Sequence, residues 1–147
     1  SLAALTEEVF CDLDPVADKH QIRLIQTEGD CTVTGSYILL YRAVYNLVEN
    51  AIKYNRPSGS VTVNIHSAES AVLEVTDTGI GISPENQEKI FDPFYRVDKS
   101  RSRAMGGAGL GLALVSEIAR QHNGQVKVTQ SSKKGSTIAL ILPVTIL

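Results

Sequence analysis

Two helical patterns overlap in the segment Arg42-Ala-Val-Tyr-Asn-Leu-Val-Glu-Asn-Ala-Ile-Lys-Tyr54. Apolar residues recur there at helical spacing and predict a face that packs on a core: Leu40, Val44, Leu47, Val48 and Ala51. A second face carries Asn46, Asn50 and Lys53, spaced i, i+4 and i+7. Asparagine is a poor helix former because its amide competes for backbone hydrogen bonds. Two asparagines in one helix therefore call for an explanation.

A ligand is one explanation of this polar face. Amide oxygens can bind Mg²⁺, and a lysine ammonium binds phosphate as a point charge. Asn50 followed by Lys53 is consistent with a magnesium ion and a phosphate chain. The other explanation is an ordinary solvated face, which the helix taken alone favours.

The composition is that of one globular domain. The chain has 147 residues, of which 43% are hydrophobic and 20% charged, and a net charge of −2. This slightly acidic balance argues against nucleic-acid binding and against binding to anionic membranes. Cys11 and Cys31 form no close motif, which favours reduced thiols in a cytoplasmic setting. No signal-peptide pattern begins at Ser1, and we expect the chain to be a piece of a longer protein.

Periodicity and turn residues predict the remaining elements. The first is a helix over residues 3–19, which we expect to be kinked or broken at Pro15. Ser36 is the predicted N-cap of the asparagine-bearing helix, which runs to about Tyr54. A short helix is expected from Ser83-Pro84 to Ile90, and a longer one from Leu112 to His122, with Leu112 on its buried side and Asn123 suited to a left-handed cap. Strands are predicted over 22–27, 31–34, 61–66, 71–76, 125–130 and 136–142, and those over 61–66 and 71–76 form a hairpin.

This order of elements differs from the regular strand–helix alternation of a doubly wound sheet. It predicts an α+β fold, a two-layer α/β sandwich in which a mixed sheet of about five strands carries three main helices on one face. A ligand would then lie on loops and helix ends.

Spaced glycines follow the strand that ends at Asp77, in Asp77-Thr-Gly79-Ile-Gly81. A carboxylate at a buried strand end can accept a hydrogen bond from the exocyclic amine of adenine, and glycines allow the backbone to approach the base. The alternative is a simple β-turn, because Asp-Thr-Gly is common turn chemistry.

A second glycine group, at positions 106, 107, 109 and 111, directly precedes a helix. Its amides can hold phosphate oxygens at the positive helix end, or the glycines can form a hinge with close packing.

Four cations lie just before this glycine group, Arg96, Lys99, Arg101 and Arg103. They suit a lid that closes over a triphosphate, with a solvated loop as the alternative. His20, His66 and His122 are predicted to be structural or exposed.

Five segments, in chain order, resemble the catalytic and ATP-binding domain of sensor histidine kinases from two-component systems. This domain belongs to the ATPase superfamily that includes gyrase, the large heat-shock chaperones and mismatch-repair ATPases. The segments are Asn46-Leu-Val-Glu-Asn50-Ala-Ile-Lys53-Tyr54, Asp77-Thr-Gly79-Ile-Gly81, Phe91-Asp-Pro-Phe94-Tyr-Arg96, Gly107-Ala-Gly109-Leu110-Gly111-Leu and Lys134-Gly135-Ser136-Thr137.

The resemblance implies a role for each matching position. Asn50 would bind magnesium, supported by Asn46, and Asp77 would select adenine. Catalysis would rest on Asn46, Lys53 and Arg96, with Arg96 in a lid over about residues 95–108. The nucleotide would contact Asn46, Asn50, Lys53, Tyr54, Asp77, Gly79, Gly81, Arg96, Gly107, Gly109, Leu110, Gly111 and Ser136. Ala108 departs from the Ser or Thr of many relatives, which removes one hydroxyl contact to phosphate.

One position favours a kinase over a hydrolase. ATP-hydrolysing members of the superfamily carry a glutamate where this chain has Asn46, which cannot accept a proton. The resemblance therefore implies binding of Mg-ATP or ADP and transfer of the γ-phosphoryl group to a histidine of a separate dimerisation and phosphoacceptor domain, which we expect before Ser1. The alternatives are an ATPase or anti-sigma serine kinase, a non-catalytic nucleotide-binding module and a purely structural domain.

The resemblance also implies a setting. The fragment is expected to be a monomer, the parent protein a homodimer anchored in the inner membrane with this part in the cytoplasm, and the downstream partner a response regulator.

Overall fold

The computed structural model describes residues 1–92 and 111–144. Three long helices are present in these residues: α1 (Leu2–His20), α2 (Tyr37–Lys53) and α3 (Gly111–Gln121). Five strands accompany them: β1 (Arg23–Gln26), β2 (Ser60–Ser67), β3 (Ser70–Asp77), β4 (Gln125–Ser132) and β5 (Gly135–Pro143).

The strands form one mixed sheet in the order β1-β2-β3-β5-β4. β1 pairs with β2 in parallel, and the other neighbouring strands are antiparallel. Buried residues of all three helices and of the central strands belong to one hydrophobic core. The predicted α+β fold with a mixed five-stranded sheet and three main helices is therefore confirmed.

α2 contacts both other helices as well as β2 and β3. It begins at Ser36, whose side chain accepts a hydrogen bond from Leu39 N at 3.3 Å, and Tyr54 is its C-cap. The predicted apolar face is buried, and it includes Ala43 and Ile52 in addition to the five residues named above. Leu47, only 1% exposed, is typical: its truncation to Ala is expected to cost about 2–5 kcal/mol.

The predicted break at Pro15 is wrong, because α1 continues through this residue to His20. A proline inside a helix removes one backbone hydrogen bond, the one to the carbonyl of residue i−4. That residue is Cys11, which is exposed. The buried residues Leu5, Val9 and Leu13 keep the helix on the core on the N-terminal side of the proline.

The predicted strand over residues 31–34 is also wrong. This segment, with Asp30 before it, instead accepts hydrogen bonds from the start of α1. Leu2 N donates to Cys31 O at 3.0 Å, and Asp30 Oδ1 accepts from Ala3 N at 2.9 Å. β1 consequently pairs with the distant β2 rather than with its neighbour in sequence.

Three smaller expectations had different outcomes. The short helix predicted to end at Ile90 is in fact two single 3₁₀ turns, Pro84–Asn86 and Lys89–Phe91. Leu112, predicted to be buried, is only half-buried. The cap of α3 is as predicted, with Asn123 in the left-handed region at φ 60°.

Candidate functional site

Asp77 is the last residue of β3 and pairs in register with Ser136 of β5. Its Oδ1 atom accepts from Gly79 N at 2.9 Å, and its Oδ2 atom accepts from Ser136 Oγ at 3.0 Å. Burial raises the pKa of Asp77 above its ordinary value, although these hydrogen bonds act in the opposite direction. The carboxylate is therefore fixed in orientation and partly removed from water, as a group that reads a ligand must be.

Gly79 brings the end of β3 against the end of α2. A Cβ atom at this position would lie 2.5 Å from the carbonyl oxygen of Tyr54 and 3.0 Å from Asp77 Oδ1. Any side chain would therefore push the two elements apart. We call this region, formed by Tyr54, Asp77, Gly79 and Ser136, the aspartate end of the site.

Two further glycines hold the β4–β5 turn against the loop that follows β3. Gly81 has φ 79°, and a Cβ there would meet Ser132 O at 2.0 Å. Gly135 has φ 139°, and a Cβ there would meet Asp77 O at 1.9 Å. Only glycine adopts such conformations without strain at so close an approach. The chain's own packing thus requires Gly81 as well as Gly79, whether or not either also approaches a ligand.

At the other end of the site, α2 meets the start of α3. Asn46 Nδ2 donates to Gly111 O at 3.4 Å, and Lys53 Nζ lies 3.7 Å from Glu49 Oε1. We call the region formed by Asn46, Asn50, Lys53 and Gly111 the asparagine end. Its three α2 residues are half-buried, so this face of α2 is not the fully solvated face that the helix pattern also allowed.

Gly111 differs from the glycines of the aspartate end. A Cβ placed there would meet no described atom within 4 Å. Within the described residues, packing therefore does not explain this glycine. The distance along α2 from Asn46 to Tyr54 is about 12 Å at the usual rise of 1.5 Å per residue.

The remaining predicted site residues lie outside the described residues, as does the predicted lid; they are Arg96, Gly107, Gly109 and Leu110.

Across residues 1–92 and 111–144, no three or more His, Cys, Asp or Glu side chains form a group suited to a metal ion. A magnesium site made by Asn50 would use an amide oxygen and would not be such a group. In the same part of the chain, no helix has the length and apolar character needed to cross a membrane.

Sequence reasoning missed two residues that join the elements of the site. Asn55, directly after α2, is only 7% exposed and bonds to Ser60 and Thr78. Neither Asn55 nor Thr78 has a predicted role of its own. An asparagine that follows a helix end, and a threonine that follows the strand-end aspartate, are the signals that could have revealed this contact.

The histidines have structural or surface positions, as predicted. His122 Nε2 accepts from Ser36 N at 3.1 Å, and its Nδ1 lies 2.8 Å from Ile118 O, which fixes the ring between the start of α2 and the end of α3. His66 is exposed and pairs with Glu74 on the sheet. A cavity of about 290 Å³ adjoins His122, and its lining contains none of the predicted site residues.

Comparison with known proteins identifies the family. Residues 35–146 match the model of the histidine kinase-, DNA gyrase B- and HSP90-like ATPases. The sensor histidine kinase RppB of Synechocystis is 44% identical over 141 residues, which cover 95% of this chain and 31% of RppB. The sensor-like histidine kinase SenX3 of Mycobacterium tuberculosis is 49% identical over 113 residues, which cover 76% of this chain and 27% of SenX3.

Solved structures agree with these relatives. The mycobacterial sensor histidine kinase MprB superposes with a TM-score of 0.80 at 31% identity, over 97% of this chain and 95% of that one. The histidine kinase ThkA, solved in complex with the response regulator TrrA, shares the fold with a TM-score of 0.80 at 23% identity, over 99% of this chain and 41% of that one.

The chain spans less than a third of the length of the curated relatives named above. It belongs to the histidine kinase-, DNA gyrase B- and HSP90-like ATPase family, as a catalytic, ATP-binding domain of two-component sensor histidine kinases.

Proposed function

We propose that this chain binds Mg-ATP along α2 and that the γ-phosphoryl group passes to a histidine of a dimerisation and phosphoacceptor domain elsewhere in a longer protein. One observation carries the proposal. α2 contacts Gly111 through the side chain of Asn46, and Gly79 closely approaches the carbonyl oxygen of its C-cap Tyr54, so one glycine of each group adjoins the helix that carries the half-buried Asn46, Asn50 and Lys53.

The aspartate end suits adenine. Asp77 has both oxygens held by Gly79 and Ser136, and a carboxylate keeps further lone pairs that can accept a hydrogen bond. Adenine offers an amine N–H to such an acceptor. Guanine has a carbonyl oxygen at the same ring position, which a carboxylate repels. We therefore assign base selection to Asp77, with Tyr54, Gly79, Gly81 and Ser136 around the base.

The asparagine end suits the phosphates and a magnesium ion. Asn50 would hold the ion through its amide oxygen, with Asn46 beside it, and Mg²⁺ would supply charge neutralisation to the phosphate oxygens. Lys53 adds a positive charge on the same face, and Gly111 leaves room for backbone contacts. We assign further phosphate contacts to Gly107, Gly109 and Leu110, and charge neutralisation during transfer to Arg96.

The residues present favour transfer over hydrolysis. Asn46 cannot accept a proton from water, so the chain lacks a base at this position. A neutral imidazole is itself nucleophilic at neutral pH. Its nitrogen forms the new P–N bond as the bond between the γ-phosphorus and the bridging oxygen breaks, and ADP leaves. The chain contributes positioning and charge, which supply most of the catalysis in phosphoryl transfer.

The setting is part of the same proposal. The parent protein would be a homodimer anchored in the inner membrane, with this chain on the cytoplasmic side, and a response regulator would receive the phosphoryl group. This chain alone would be a monomer that binds Mg-ATP or ADP and scarcely phosphorylates itself.

Transfer of ³²P from [γ-³²P]ATP tests the proposal. The 147-residue chain is incubated with ATP and Mg²⁺, alone and with a separately prepared dimerisation and phosphoacceptor domain from the same parent. We expect acid-labile label on the acceptor domain, almost none on this chain, and little free phosphate. Steady release of phosphate that Asn46→Ala abolishes would favour the ATPase alternative. ATP binding without transfer to the acceptor would favour a non-catalytic nucleotide-binding module.

A further inference from the structure

Asn55 and Thr78 join α2 to the turn that follows Asp77. Asn55 comes one residue after the C-cap of α2, and Thr78 comes directly after the last residue of β3. Thr78 Oγ1 donates to Asn55 Oδ1 at 3.0 Å. This bond crosses between the two elements at the place where Gly79 approaches Tyr54.

The partners of this bond are themselves fixed. Asn55 Nδ2 donates to Ser60 O at 2.8 Å, and Asn55 Oδ1 also accepts from Arg56 N at 2.8 Å. Thr78 Oγ1 accepts from Ser60 N at 2.9 Å. The amide of Asn55 therefore has one orientation that satisfies all partners, and the Thr78 hydroxyl both donates and accepts. A network whose members are all satisfied is rigid, and loss of the Thr78 hydroxyl takes one partner from the buried amide of Asn55.

The two hydrogen bonds made by the Asp77 side chain do not reach α2. One ties the carboxylate to its own turn through Gly79, and the other ties it to β5 through Ser136. The packing of α2 on β2 and β3 sets the general position of Asp77 relative to α2, and the Gly79 contact and the Thr78–Asn55 bond fix the end of β3 against the end of α2. A base held between these elements would need that position within about half an ångström.

We propose that Asn55 and Thr78 are positioning residues for base selection: they hold Asp77 at a fixed place relative to the α2 residues that face the phosphates. The inference rests on the proposed nucleotide site and deepens it. Neither residue need touch the nucleotide. Their loss lets the aspartate end shift against the asparagine end, so that one ligand no longer satisfies both at once.

The test is the ratio of dissociation constants for Mg-GTP and Mg-ATP, measured by calorimetry well below the melting temperature of each variant. Thr78→Val keeps the shape and removes the hydroxyl, and Thr78→Ser retains it. Asn55→Ala removes the same bond from the other side, together with the bonds to Ser60 O and Arg56 N. Thr6→Val is the control for loss of a threonine hydroxyl outside the proposed site. Thr6 is 0% exposed, and its hydroxyl donates to Leu2 O at 2.8 Å near the start of α1.

We expect Thr78→Val and Asn55→Ala each to reduce the preference for ATP about tenfold, the equivalent of one hydrogen bond. Thr78→Ser restores most of the preference, and Thr6→Val keeps it even if its melting temperature falls. In the double variant the preference for ATP falls no further than in the worse single variant, because the Thr78–Asn55 bond that joins the two elements is already lost in each single variant. If only one of Thr78→Val and Asn55→Ala folds, that variant alone is sufficient for the test.

Unchanged preference in Thr78→Val and Asn55→Ala would overturn the inference, provided that the unaltered chain prefers ATP and Asp77→Asn loses the preference. That pattern would leave the proposed function intact. If the unaltered chain bound neither nucleotide, or bound both equally, the proposed base selection would fail and this inference with it.

Discussion

The two ends of the candidate site are held to different degrees. At the aspartate end, hydrogen bonds of 2.9 and 3.0 Å fix both oxygens of Asp77, and Gly79 is pressed against Tyr54. At the asparagine end, the bond from Asn46 to Gly111 is 3.4 Å long, and the Lys53 ammonium lies 3.7 Å from Glu49. Bonds at the limit of the accepted range are weak.

The difference indicates that the two ends contribute differently to nucleotide binding. The aspartate end is preorganised, so under the proposed function it would discriminate between bases before any phosphate contact forms. The asparagine end is held loosely by the described residues, so a metal ion and phosphates would complete its geometry. Four predictions test this contrast between a rigid end and a loose one.

The largest effect is expected from Asp77→Asn, which removes the charge but keeps the shape. The substituted amide could still accept from Gly79 N through its oxygen and donate to Ser136 through its nitrogen, so the fold should survive. A hydrogen bond to a charged group is worth about 1.5–3 kcal/mol, so we expect Mg-ATP to bind about ten- to a hundredfold more weakly while Mg-GTP changes little. Calorimetry measures both constants. Equal losses for the two nucleotides would mean that Asp77 does not read the base.

A smaller effect is expected from Asn50→Ala, which tests the asparagine end. We expect about a tenfold loss of ATP affinity in the presence of Mg²⁺ and almost none in EDTA, since one metal ligand is removed. Asn50→Asp is the matched control, because a carboxylate is also a magnesium ligand and should keep the magnesium dependence. If Asn50→Ala lost the same affinity with and without Mg²⁺, the metal assignment would be wrong.

A dependence of a few-fold on pH should follow from the burial that raises the pKa of Asp77. Under the proposed function the ionised form would accept the adenine amine, so ATP affinity should fall as the pH is lowered through this raised pKa. The stability effect has the opposite sign. A raised pKa in the folded state gives stability at low pH that is lost as the pH rises through it. Asp77→Asn should therefore be at least as stable as the unaltered chain at neutral pH.

Titration of ATP affinity and of urea unfolding against pH, with Asp77→Asn as the reference, separates these two effects. A pH dependence of affinity that is identical in the variant would show that another group causes it.

The smallest effect is expected on stability from Lys53→Met. The pair with Glu49 is partly exposed and spaced i, i+4, and such pairs contribute about 0.3–0.5 kcal/mol. We expect the free energy of unfolding in urea to change by no more than this, while ATP affinity falls. Glu49→Gln breaks the same pair and should leave ATP affinity nearly unchanged. A large loss of stability in Lys53→Met would mean that this lysine serves the fold.

Local patterns in the sequence predicted the elements that local forces determine. The Ser36 cap, the apolar face of α2, the β2–β3 hairpin and the left-handed Asn123 each depend on residues close together in the chain. The strand predicted over residues 31–34 was wrong because a β-branched pattern reports only a local preference. The segment instead accepts a hydrogen bond from the start of α1, which is distant in the sequence. Pairing of β1 with β2 across the whole of α2 left no local signal.

The same reasoning applies to the site. Asp77, Asn46 and Asn50 were predicted as site residues because they stand in recognisable segments with a resemblance to one family, and their roles stay predictions. Asn55 and Thr78 could not be predicted, because their roles arise only when the end of α2 and the end of β3 meet. Conversely, Gly79 and Gly81 were predicted to approach a ligand, and the structure gives each a reason in the chain's own packing.

Whether a single nucleotide spans both ends of the site can be read from amide chemical shifts of the ¹⁵N-labelled chain during titration with Mg-ADP. We predict changes at both ends, over residues 46–54 of α2, at Asp77 to Gly81 and at Ser136, with Ser36 and His122 unaffected. Changes confined to the cavity beside His122, or none at Asp77 and Gly79 under saturating nucleotide, would contradict a site of this kind.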